Sequence, residues 1–368
     1  MLRIGIECEN IEDPKSRWGV GQLTLNLLKE YESNPEWQQK YKLYLYFKKR
    51  VPDDEFLKNP IFVKRVLGFP SFNIFYHILM PLRAMADRLD WMFFPAYMLP
   101  PLYFGKSVVM LTEDVYYEYK SGILPFRYRL AYGLFTNWAA IMATKILAIS
   151  ETSKREIAKV YRINPERIFV SYLGISTSQS VQSVIRNPEL SNYLLYVGQA
   201  FPRRHLKETI LAFKEIVSEF PDLKLIAVGK DKYQVPIIKD LVKKINQESG
   251  AEKIKYHDYL ENREEIDNLY SGAKALVYVS DREAFGLPPM EASSFGVPPV
   301  IMDNELGHEL FSEYAFYSKS GNAHDIAEAI KSALNNESKT LNIRNNGPEF
   351  VKKYNWKDFS ARFFNEIK

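Results

Sequence analysis

Two glutamates in the last third of the chain have a spacing that suits ligand binding. Glu283 and Glu291 stand eight positions apart, on either side of Gly286. An ionised carboxylate binds hydroxyl donors strongly when water is excluded, so each glutamate is a candidate acceptor for the hydroxyl groups of a ligand. The plain structural alternative is a strand–helix unit with two solvated glutamates.

The backbone between the glutamates is suited to an anion. Phe285, Gly286 and Leu287 stand at the start of a predicted helix, and amide N–H groups at a helix N-terminus can hold phosphate oxygens. Glu291 can then accept two hydrogen bonds from a ribose diol, while Glu283 can reach the hydroxyls of a sugar. The segment therefore predicts a site for a nucleotide sugar.

A strand and a short helix must position this pair. The apolar run 275–279 reads as a buried parallel strand. Pro288 and Pro289 suit the first turn of a helix, where a missing N–H costs nothing. Gly296 is placed to end that helix, and the run 297–301 leads into the next strand.

Strand-like apolar runs alternate with helix-length segments along almost the whole chain. Further runs lie at 43–47, 107–112, 145–150, 167–171, 193–197, 223–228 and 253–256. This rhythm predicts an α/β fold, with doubly wound parallel sheets covered by helices on both faces.

The domain organisation follows from one interruption of that rhythm. With 368 residues the chain is long enough for two domains. The polar stretch 176–190 carries no hydrophobic periodicity and predicts a linker. It separates one Rossmann-like domain at 1–175 from a second at 191–345. The segment 346–368 has apolar residues at helical spacing and predicts a last helix that packs back on the first domain.

A glycine pair follows the strand that the sequence predicts at 1–6. Gly19 and Gly21 allow close approach of the backbone to a phosphate, with a helix N-terminus behind them. A dinucleotide-binding fingerprint needs a third glycine, and Thr24 occupies that position. A turn that requires positive φ explains the pair equally well.

Two arginines follow the strand at 193–197. Arg203 and Arg204 are expected at the carboxyl edge of the sheet, where doubly wound sheets bind ligands. Arg204 can neutralise a diphosphate and stabilise it as a leaving group. The alternative is a pair of surface arginines at a helix start, which opposes the helix dipole unless an anion binds.

A carboxylate pair follows the strand at 107–112 in the first domain. Glu113 and Asp114 are expected at the corresponding edge of the first sheet. Asp114 is equally suited to cap a helix, since aspartate is favoured at that position.

The composition excludes several classes of protein. Lys and Arg number 49 against 45 Asp and Glu, a net charge of +4 that does not indicate a nucleic-acid binder. The single cysteine, Cys8, excludes an intramolecular disulfide and is expected in the core. No signal peptide and no apolar run long enough to span a bilayer are evident, so a cytoplasmic protein is expected. Neither an Asp-x-Asp pair nor zinc-type histidine spacing occurs, so no metal site is predicted.

One segment mixes arginines with aromatic residues. The run 123–135 places Arg127 and Arg129 among aromatic and aliphatic side chains, a composition that can rest on a membrane surface. Ordinary core helices explain most such segments, so peripheral membrane contact stays one of two interpretations.

Taken in order, these motifs resemble those of retaining glycosyltransferases of family 4, which have the GT-B fold. The resemblance covers nearly the whole chain. Its landmarks are the loop at 19–21, the segments 90–95 and 150–154, Gly198 with 202–204, Tyr259 and the pair Glu283 and Glu291. It implies two Rossmann-like domains that face each other across a cleft, the N-terminal one binding the acceptor and the C-terminal one the donor.

The resemblance also implies roles for single residues. Glu291 falls on the glutamate that holds the ribose, and Glu283 on the one that touches the donor sugar. Arg203 and Arg204 fall on the basic pair that meets the diphosphate, and base recognition is expected near Tyr259.

Two positions depart from the pattern. Arg204 stands where lysine is usual, which keeps the charge. Glu113 stands where histidine is frequent, so a carboxyl group replaces a neutral hydrogen-bonding ring at that position.

The function implied is transfer of a hexose from a GDP- or UDP-linked donor to a hydroxyl of a glycan or lipid-linked acceptor. The transfer is expected to be retaining and metal-independent, and to serve surface polysaccharide synthesis. The nucleotide sugar is a substrate, and no separate cofactor is expected. Two alternatives stay open. The first is a GT-B sugar-nucleotide epimerase, and the second is a nonenzymatic subunit that binds a nucleotide or a glycan.

Overall fold

The structure is a computed structural model that describes residues 1–14, 17, 19–120, 125–175, 192–260 and 262–368. Contacts divide the chain into two compact units. The first comprises Met1–Gly174 together with Tyr354–Lys368, and the second comprises Ile175–Lys353. The predicted linker at 176–190 lies outside the described residues.

The first unit is built on a seven-stranded sheet in which all paired strands are parallel. Its strands are β1 Leu2–Glu7, β2 Tyr41–Phe47, β3 Val63–Val66, β4 Trp91–Phe94, β5 Ser107–Met110, β6 Lys145–Ala148 and β7 Ile168–Val170, in the order β3-β2-β1-β4-β5-β6-β7. The central strands β4 and β5 read as nearly continuous apolar runs because helices bury both faces of a parallel sheet.

Eight α-helices belong to this unit in the part of the chain that the structure describes. They are α1 Val20–Glu32, α2 Pro35–Lys40, α3 Phe72–Ile74, α4 Met80–Ala86, α5 Glu113–Lys120, α6 Phe126–Met142, α7 Glu151–Tyr161 and, from the end of the chain, a helix at Trp356–Glu366. A π-helical turn, Phe75–Leu79, joins α3 to α4.

The helix at Trp356–Glu366 packs into the first unit. The ring of Phe364 stacks on that of Tyr41 with centroids 4.9 Å apart, and Ser171 Oγ donates to the Phe359 carbonyl at 3.0 Å. The Asn355 side chain accepts the Asp358 N–H and caps the helix start. This helix is shorter than the prediction over 346–368, because residues 346–353 complete a helix and a turn of the second unit.

The second unit is built on a six-stranded sheet, again with parallel pairs throughout. Its strands are β8 Tyr193–Val197, β9 Lys224–Val228, β10 Ile254–His257, β11 Ala275–Tyr278, β12 Pro299–Met302 and β13 Phe316–Ser318, in the order β10-β9-β8-β11-β12-β13. Its helices in the described ranges are α8 Leu206–Ile216, α9 Ile238–Ser249, α10 Arg263–Gly272, α11 Leu287–Ser294, α12 Glu305–Phe311, α13 Ala323–Asn335 and α14 Glu337–Phe350. The helix Trp356–Glu366 of the first unit is therefore α15.

The predicted α/β fold with two parallel, doubly wound sheets is confirmed. The sequence prediction left out β3, β4 and β13, which have only three or four residues each. Two of them are edge strands, and β3 carries Lys64 and Arg65 in its middle, so neither gives the apolar run of a central strand.

Each sheet has one point where the direction of strand addition reverses. In the first sheet it lies between β1 and β4, and in the second between β8 and β11. The connections from such neighbouring strands leave in opposite directions, which opens a crevice at the carboxyl edge where ligands bind in this class of fold. These two edges are where functional side chains are expected.

Candidate functional site

An ion pair occupies the crevice of the second sheet. Arg204 follows β8 and Glu283 follows β11, so the two residues come from the two sides of the reversal point. Arg204 Nε donates to Glu283 Oε1 at 2.6 Å, and Nη2 donates to Oε2 at 3.1 Å. The pair is bidentate and mostly buried, with 17% and 16% of the two side chains exposed. The structure thus brings together two residues that the sequence singled out separately.

Neighbouring side chains fix the orientation of this pair. The Tyr278 hydroxyl and Ser280 Oγ each donate to Glu283 Oε1 at 3.1 Å. The Arg204 guanidinium lies 5.5 Å from the centroid of the Tyr278 ring and 5.6 Å from that of Phe201. Burial lowers the pKa of Arg204, but Tyr278 and Glu283 raise it by more, so the guanidinium stays cationic.

Glu291 lies on α11 with two partners that sequence reasoning missed. Arg263 Nη1 donates to Oε1 at 2.8 Å, and the hydroxyl of the buried Tyr270 donates to Oε2 at 3.0 Å. Arg263 Nε also donates to Asp267 Oδ1 at 2.8 Å. The ring of Tyr270 stacks on Phe295 with centroids 5.7 Å apart. The Glu291 carboxylate is therefore held in one orientation from both sides.

The turn before α11 requires glycine. Gly286 has φ 85° and ψ 64° and is the N-cap of the helix, a left-handed conformation that glycine adopts without steric cost. Of the first three helical residues only Leu287 has an amide N–H, because Pro288 and Pro289 have none. Phe285 is buried, with 3% exposed. The predicted anion site at this helix start thus has fewer donors than an ordinary first turn.

A cavity borders this turn on the side of Glu283. Its walls are mainly apolar, and its lining includes Tyr278, Glu283, Phe285, Gly286, Ile301 and Leu306. A carboxylate on the wall of an apolar cavity forms stronger hydrogen bonds than one in water, because the local dielectric is low.

The remaining predicted residues of this unit lie at the same edge of the sheet. The Arg203 carbonyl accepts the Asp281 N–H at 2.9 Å, and the Arg203 guanidinium lies 4.9 Å from the centroid of the Phe201 ring. Tyr259 follows β10 and is 53% exposed. Their predicted contacts with diphosphate and base stay predictions.

In the first unit, Glu113 is the first residue of α5 and is buried, with 4% exposed. Ser153 Oγ, from α7, donates to its carboxylate. Burial raises the pKa of Glu113 to about 7, and the nearby charge of Asp114 adds to the rise. Asp114 itself is half-buried in the first turn of α5.

The two glycines of the first loop have different roles. Gly19 has φ 31° and is the N-cap of α1, in open space. Gly21 lies inside α1, where a Cβ would come within 2.9 Å of the Asn10 carbonyl oxygen and 3.2 Å of the Arg17 Cβ. Close packing of the helix start explains Gly21, and the predicted phosphate contact of the pair stays a prediction.

Sequence reasoning also missed Glu7, the last residue of β1 at the reversal point of the first sheet. It is 3% exposed and accepts hydrogen bonds from the Glu9 N–H at 2.7 Å and from Asn10 Nδ2 at 3.2 Å. Burial raises its pKa to about 8. The signal was an acidic residue at the carboxyl end of a strand, directly after the apolar stretch 4–6.

The described ranges lack two further kinds of feature. They contain no group of three or more His, Cys, Asp or Glu side chains that could hold a metal ion. No helix within them is long and apolar enough to cross a membrane.

Comparison with known proteins finds a family model that matches the part of the chain with these features. Residues 179–350 match the family model described as Glycosyl transferases group 1. This stretch carries Arg203, Arg204, Tyr259, Glu283 and Glu291.

Two curated bacterial proteins are similar to part of the chain. O-antigen chain mannosyltransferase RfbU of Salmonella typhimurium is 31% identical over 186 residues, which are 50% of this chain and 50% of that protein. O-antigen chain mannosyltransferase B of Escherichia coli is 26% identical over 238 residues, 61% of each. The chain thus matches between half and three fifths of the length of these relatives.

The fold is similar to that of a solved enzyme over its full length. The crystal structure of WaaG, a glycosyltransferase involved in lipopolysaccharide biosynthesis, superimposes with a TM-score of 0.72 at 16% identity and covers 99% of both chains. The expected GT-B fold and the expected family resemblance are therefore confirmed. The match over residues 179–350 shows that this part of the chain is similar to the group 1 glycosyltransferases, and the two-sheet fold is shared with WaaG.

Proposed function

We propose that this chain is a retaining, metal-independent glycosyltransferase that moves a hexose from a nucleotide-diphosphate sugar to a hydroxyl of a glycan or lipid-linked acceptor, in the synthesis of a surface polysaccharide. The observation that carries the proposal is the bidentate pair of Arg204 and Glu283 at the reversal point of the second sheet. The similar O-antigen mannosyltransferases make GDP-mannose the first donor to test and a UDP-hexose the second.

The diphosphate of the donor is the natural ligand of Arg204. Its guanidinium uses Nε and Nη2 on Glu283, and Nη1 lies 3.4 Å from the Gln199 carbonyl oxygen. A guanidinium carries five N–H donors, so it can meet phosphate oxygens while it keeps part of its bond to Glu283. In this proposal the diphosphate loosens the ion pair, and the Glu283 oxygen that is set free accepts a hydroxyl of the sugar.

The ribose diol binds to Glu291. Each of its oxygens already accepts one hydrogen bond, from Arg263 and from Tyr270. A carboxylate oxygen can accept two, so the two ribose hydroxyls can add to the existing network without displacing either partner. The amides of Gly286 and Leu287, the side chain of Arg203 and the region of Tyr259 complete the proposed donor site.

Transfer breaks the bond between C1 of the hexose and the diphosphate oxygen. The acceptor oxygen attacks from the face that the diphosphate leaves, and the departing phosphate takes the acceptor proton. Arg204 stabilises the negative charge that grows on the leaving group. Asp114 and Glu113 of the first unit are the proposed groups for the sugar and acceptor hydroxyls, with Gly19 and Gly21 at the start of α1 near the phosphates. No cofactor is needed besides the donor.

The test is a transfer assay with the purified full chain. GDP-mannose and UDP-glucose are each incubated with a polyprenyl-diphosphate-linked oligosaccharide, with a free oligosaccharide and without acceptor, in the presence and absence of EDTA. We expect nucleoside diphosphate release that requires an acceptor, is insensitive to EDTA and yields a product with the anomeric configuration of the donor.

Each alternative has its own signature in this assay. An epimerase consumes the donor without any acceptor. A nonenzymatic subunit binds nucleoside diphosphate without turnover on the whole panel. A product with inverted configuration would contradict the retaining mechanism, and loss of activity with EDTA would contradict metal independence.

A specific surface supports the proposed peripheral contact with the inner face of a membrane. Four apolar side chains lie along one side of α6: Phe126, Leu130, Leu134 and Ile141, which are 76%, 53%, 62% and 61% exposed. The helix carries two arginines and no carboxylate, so its charge complements anionic lipid headgroups.

A second apolar row lies on a neighbouring helical segment of the same unit. Ile78, Leu82 and Met85 are 42%, 52% and 49% exposed at helical spacing, and the His77 ring stacks on Phe135 of α6 with centroids 4.8 Å apart. The two rows therefore belong to neighbouring helices of one unit.

Vesicle sedimentation tests the membrane contact. We expect binding to phosphatidylglycerol vesicles, little binding to phosphatidylcholine vesicles, and a severalfold loss of binding in the double variant Leu130→Ser with Leu134→Ser. The matched control is Leu341→Ser, which alters a residue on α14 of the second unit that is 59% exposed. Equal binding of the parent and the double variant would contradict the contact.

A further inference from the structure

His205 stands between the arginine of the candidate site and the helix that follows it. Its backbone has φ 47° and ψ 35° at the start of α8, a left-handed conformation that is uncommon for residues other than glycine, although histidine is among those enriched there. The side chain is 16% exposed. Local sequence gives no reason for a histidine at this position, since a glycine would adopt the same backbone more easily.

The imidazole connects two loops of the second unit. Its Nε2 lies 2.8 Å from Asp281 Oδ1, in the loop after β11, and its Nδ1 lies 3.5 Å from Glu208 Oε2, on α8. The loop that holds Asp281 also holds Glu283, and His205 directly follows Arg204. The contact therefore ties together the two loops that carry the ion pair of the candidate site.

A third segment leaves room for the ring. Gly321, in the loop between β13 and α13, packs against the imidazole so closely that a Cβ at this position would collide with it. The ring is thus enclosed by α8, by the loop after β11 and by the loop after β13. The charged groups that face it are Glu208 from the first and Asp281 from the second, and the third contributes the uncharged Gly321.

We propose that His205 is a positioning residue whose imidazolium form clasps the two loops of the donor site, so that the chain binds nucleoside diphosphate more tightly when His205 is protonated than when it is neutral. This inference rests on the proposed function, because it concerns the same site.

The hydrogen-bond chemistry of imidazole supports the clasp. Each ring nitrogen faces a carboxylate, and only the imidazolium carries an N–H on both nitrogens. A neutral tautomer donates to one carboxylate and turns a lone pair toward the other. Burial lowers the pKa of His205, but Glu208 and Asp281 raise it by more, so that the pKa lies above its ordinary value.

The sign of the pH effect follows from that direction. A histidine whose pKa is raised by folding contributes its stabilisation fully below the ordinary pKa of 6.5, and this contribution is lost as the pH rises through the raised value. The imidazolium of His205 therefore holds both carboxylates at acidic pH, and the contact with one of them is lost at alkaline pH.

Calorimetric titration of the full chain with GDP and with UDP, from about pH 6 to about pH 9, tests the proposal, because this range extends upward from the ordinary pKa of histidine. We expect the affinity of the parent to fall on the order of tenfold over this range, the effect of one charge-assisted hydrogen bond. His205→Asn keeps a residue that tolerates the left-handed backbone but has no charge. It should bind weakly at about pH 7, as the parent does at the alkaline end, and its affinity should change little with pH.

Two further variants leave His205 in place. Asp281→Asn removes one carboxylate, and Gly321→Ala displaces the flexible imidazole without changing any charge. Both variants should bind GDP and UDP with an affinity that changes little with pH. They test the proposal even if His205→Asn fails to fold. The control is His324→Asn on α13, whose side chain is 76% exposed, and which should keep the pH dependence of the parent.

The outcomes separate the two claims. A parent that binds GDP or UDP with an affinity independent of pH, or variants that keep the full pH dependence of the parent, would overturn the clasp and leave the proposed function standing. A parent that binds neither nucleotide across the range would overturn both.

Discussion

Both sheets have carboxylic acids near their carboxyl edges, but the partners of these acids differ between the two units. At the carboxyl edge of the first sheet, Glu7 and Glu113 are buried among uncharged donors: a backbone N–H, an asparagine and a serine. At the carboxyl edge of the second sheet, Glu283 and Glu291 each form an ion pair with an arginine. The fold determines where a carboxyl group lies, and a residue from a neighbouring loop or helix determines which charge it faces.

The difference indicates a division of labour between the two edges. Burial without a cation raises the pKa of Glu7 to about 8 and that of Glu113 to about 7, so these groups hold a proton close to neutral pH and can donate a hydrogen bond. The arginines of the second edge supply positive charge that a diphosphate can share. The first edge thus suits uncharged hydroxyl groups, and the second suits an anionic nucleotide.

The strongest test of the comparison removes the cation of the second edge. We expect Arg204→Ala to lower kcat on the order of a thousandfold, because the leaving-group charge loses its main cation. Arg204→Lys should recover part of the loss, since lysine keeps the charge but cannot form a bidentate pair. The measurement is steady-state transfer from GDP-mannose. Turnover that is unchanged in Arg204→Ala would contradict the role of this edge.

The first edge predicts a pH-dependent stability. Between its ordinary pKa of 4.5 and its raised pKa of about 7, Glu113 keeps its proton in the native state and loses it in the unfolded chain, so its contribution to stability falls as the pH rises. Glu113→Gln should match the parent near pH 5 and exceed it near pH 8, by roughly 3 kcal/mol in the free energy of unfolding.

Urea denaturation of parent and variant at both pH values measures the effect. The control is Glu36→Gln on α2, whose side chain is 81% exposed, and which should shift stability equally at the two pH values. If Glu113→Gln destabilised the chain equally at both, the carboxyl would be ionised in the native state and the contrast between the edges would disappear.

Removal of the second paired glutamate should weaken donor binding. Glu291→Ala takes away both proposed acceptors of the ribose diol and leaves Arg263 with Asp267 alone. We expect the affinity for GDP or UDP to fall about a hundredfold, the effect of two charge-assisted hydrogen bonds. Calorimetric titration measures it, with Glu264→Ala on the exposed side of α10 as control. Affinity equal to that of the parent would place the nucleoside elsewhere.

The smallest predicted effect on nucleotide affinity comes from removing a single hydrogen bond to Glu291. Tyr270→Phe keeps the buried ring and its stack on Phe295 but removes the hydroxyl that donates to Glu291. We expect a loss of about fivefold in nucleotide affinity, because one net hydrogen bond contributes about 1 kcal/mol. A variant as weak as Glu291→Ala would show that the tyrosine, rather than Arg263, orients the carboxylate.

The sequence predicted the local geometry of the second edge well. The strand, the glycine turn, the short helix and the next strand correspond to β11, Gly286, α11 and β12. Such a prediction succeeds because apolar runs, prolines and a glycine with positive φ act within a few residues. The sequence also predicted that Arg204 and Glu283 lie at the same edge. It assigned each of them to a different group of the donor and did not predict that they bind each other.

The electrostatics could not be predicted from the sequence. The partner of Glu291 is Arg263, 28 residues earlier, and the hydroxyl that contacts Glu113 comes from Ser153, 40 residues later. Pairs of this kind depend on which helix crosses which strand, and no local pattern encodes that. The protonated state of Glu113 depends on burial, which is likewise a property of the whole unit.

The position of α15 has a consequence for the order in which the protein is made. The helix supplies Phe363, packed on Phe93 with ring centroids 4.7 Å apart, and Glu366, whose carboxylate lies 2.8 Å from Lys145 Nζ. Domains made on the ribosome fold from the N-terminus onward, yet the core of the first unit needs residues that are translated after the whole second unit. The second unit can therefore complete its core before α15 is available to the first unit.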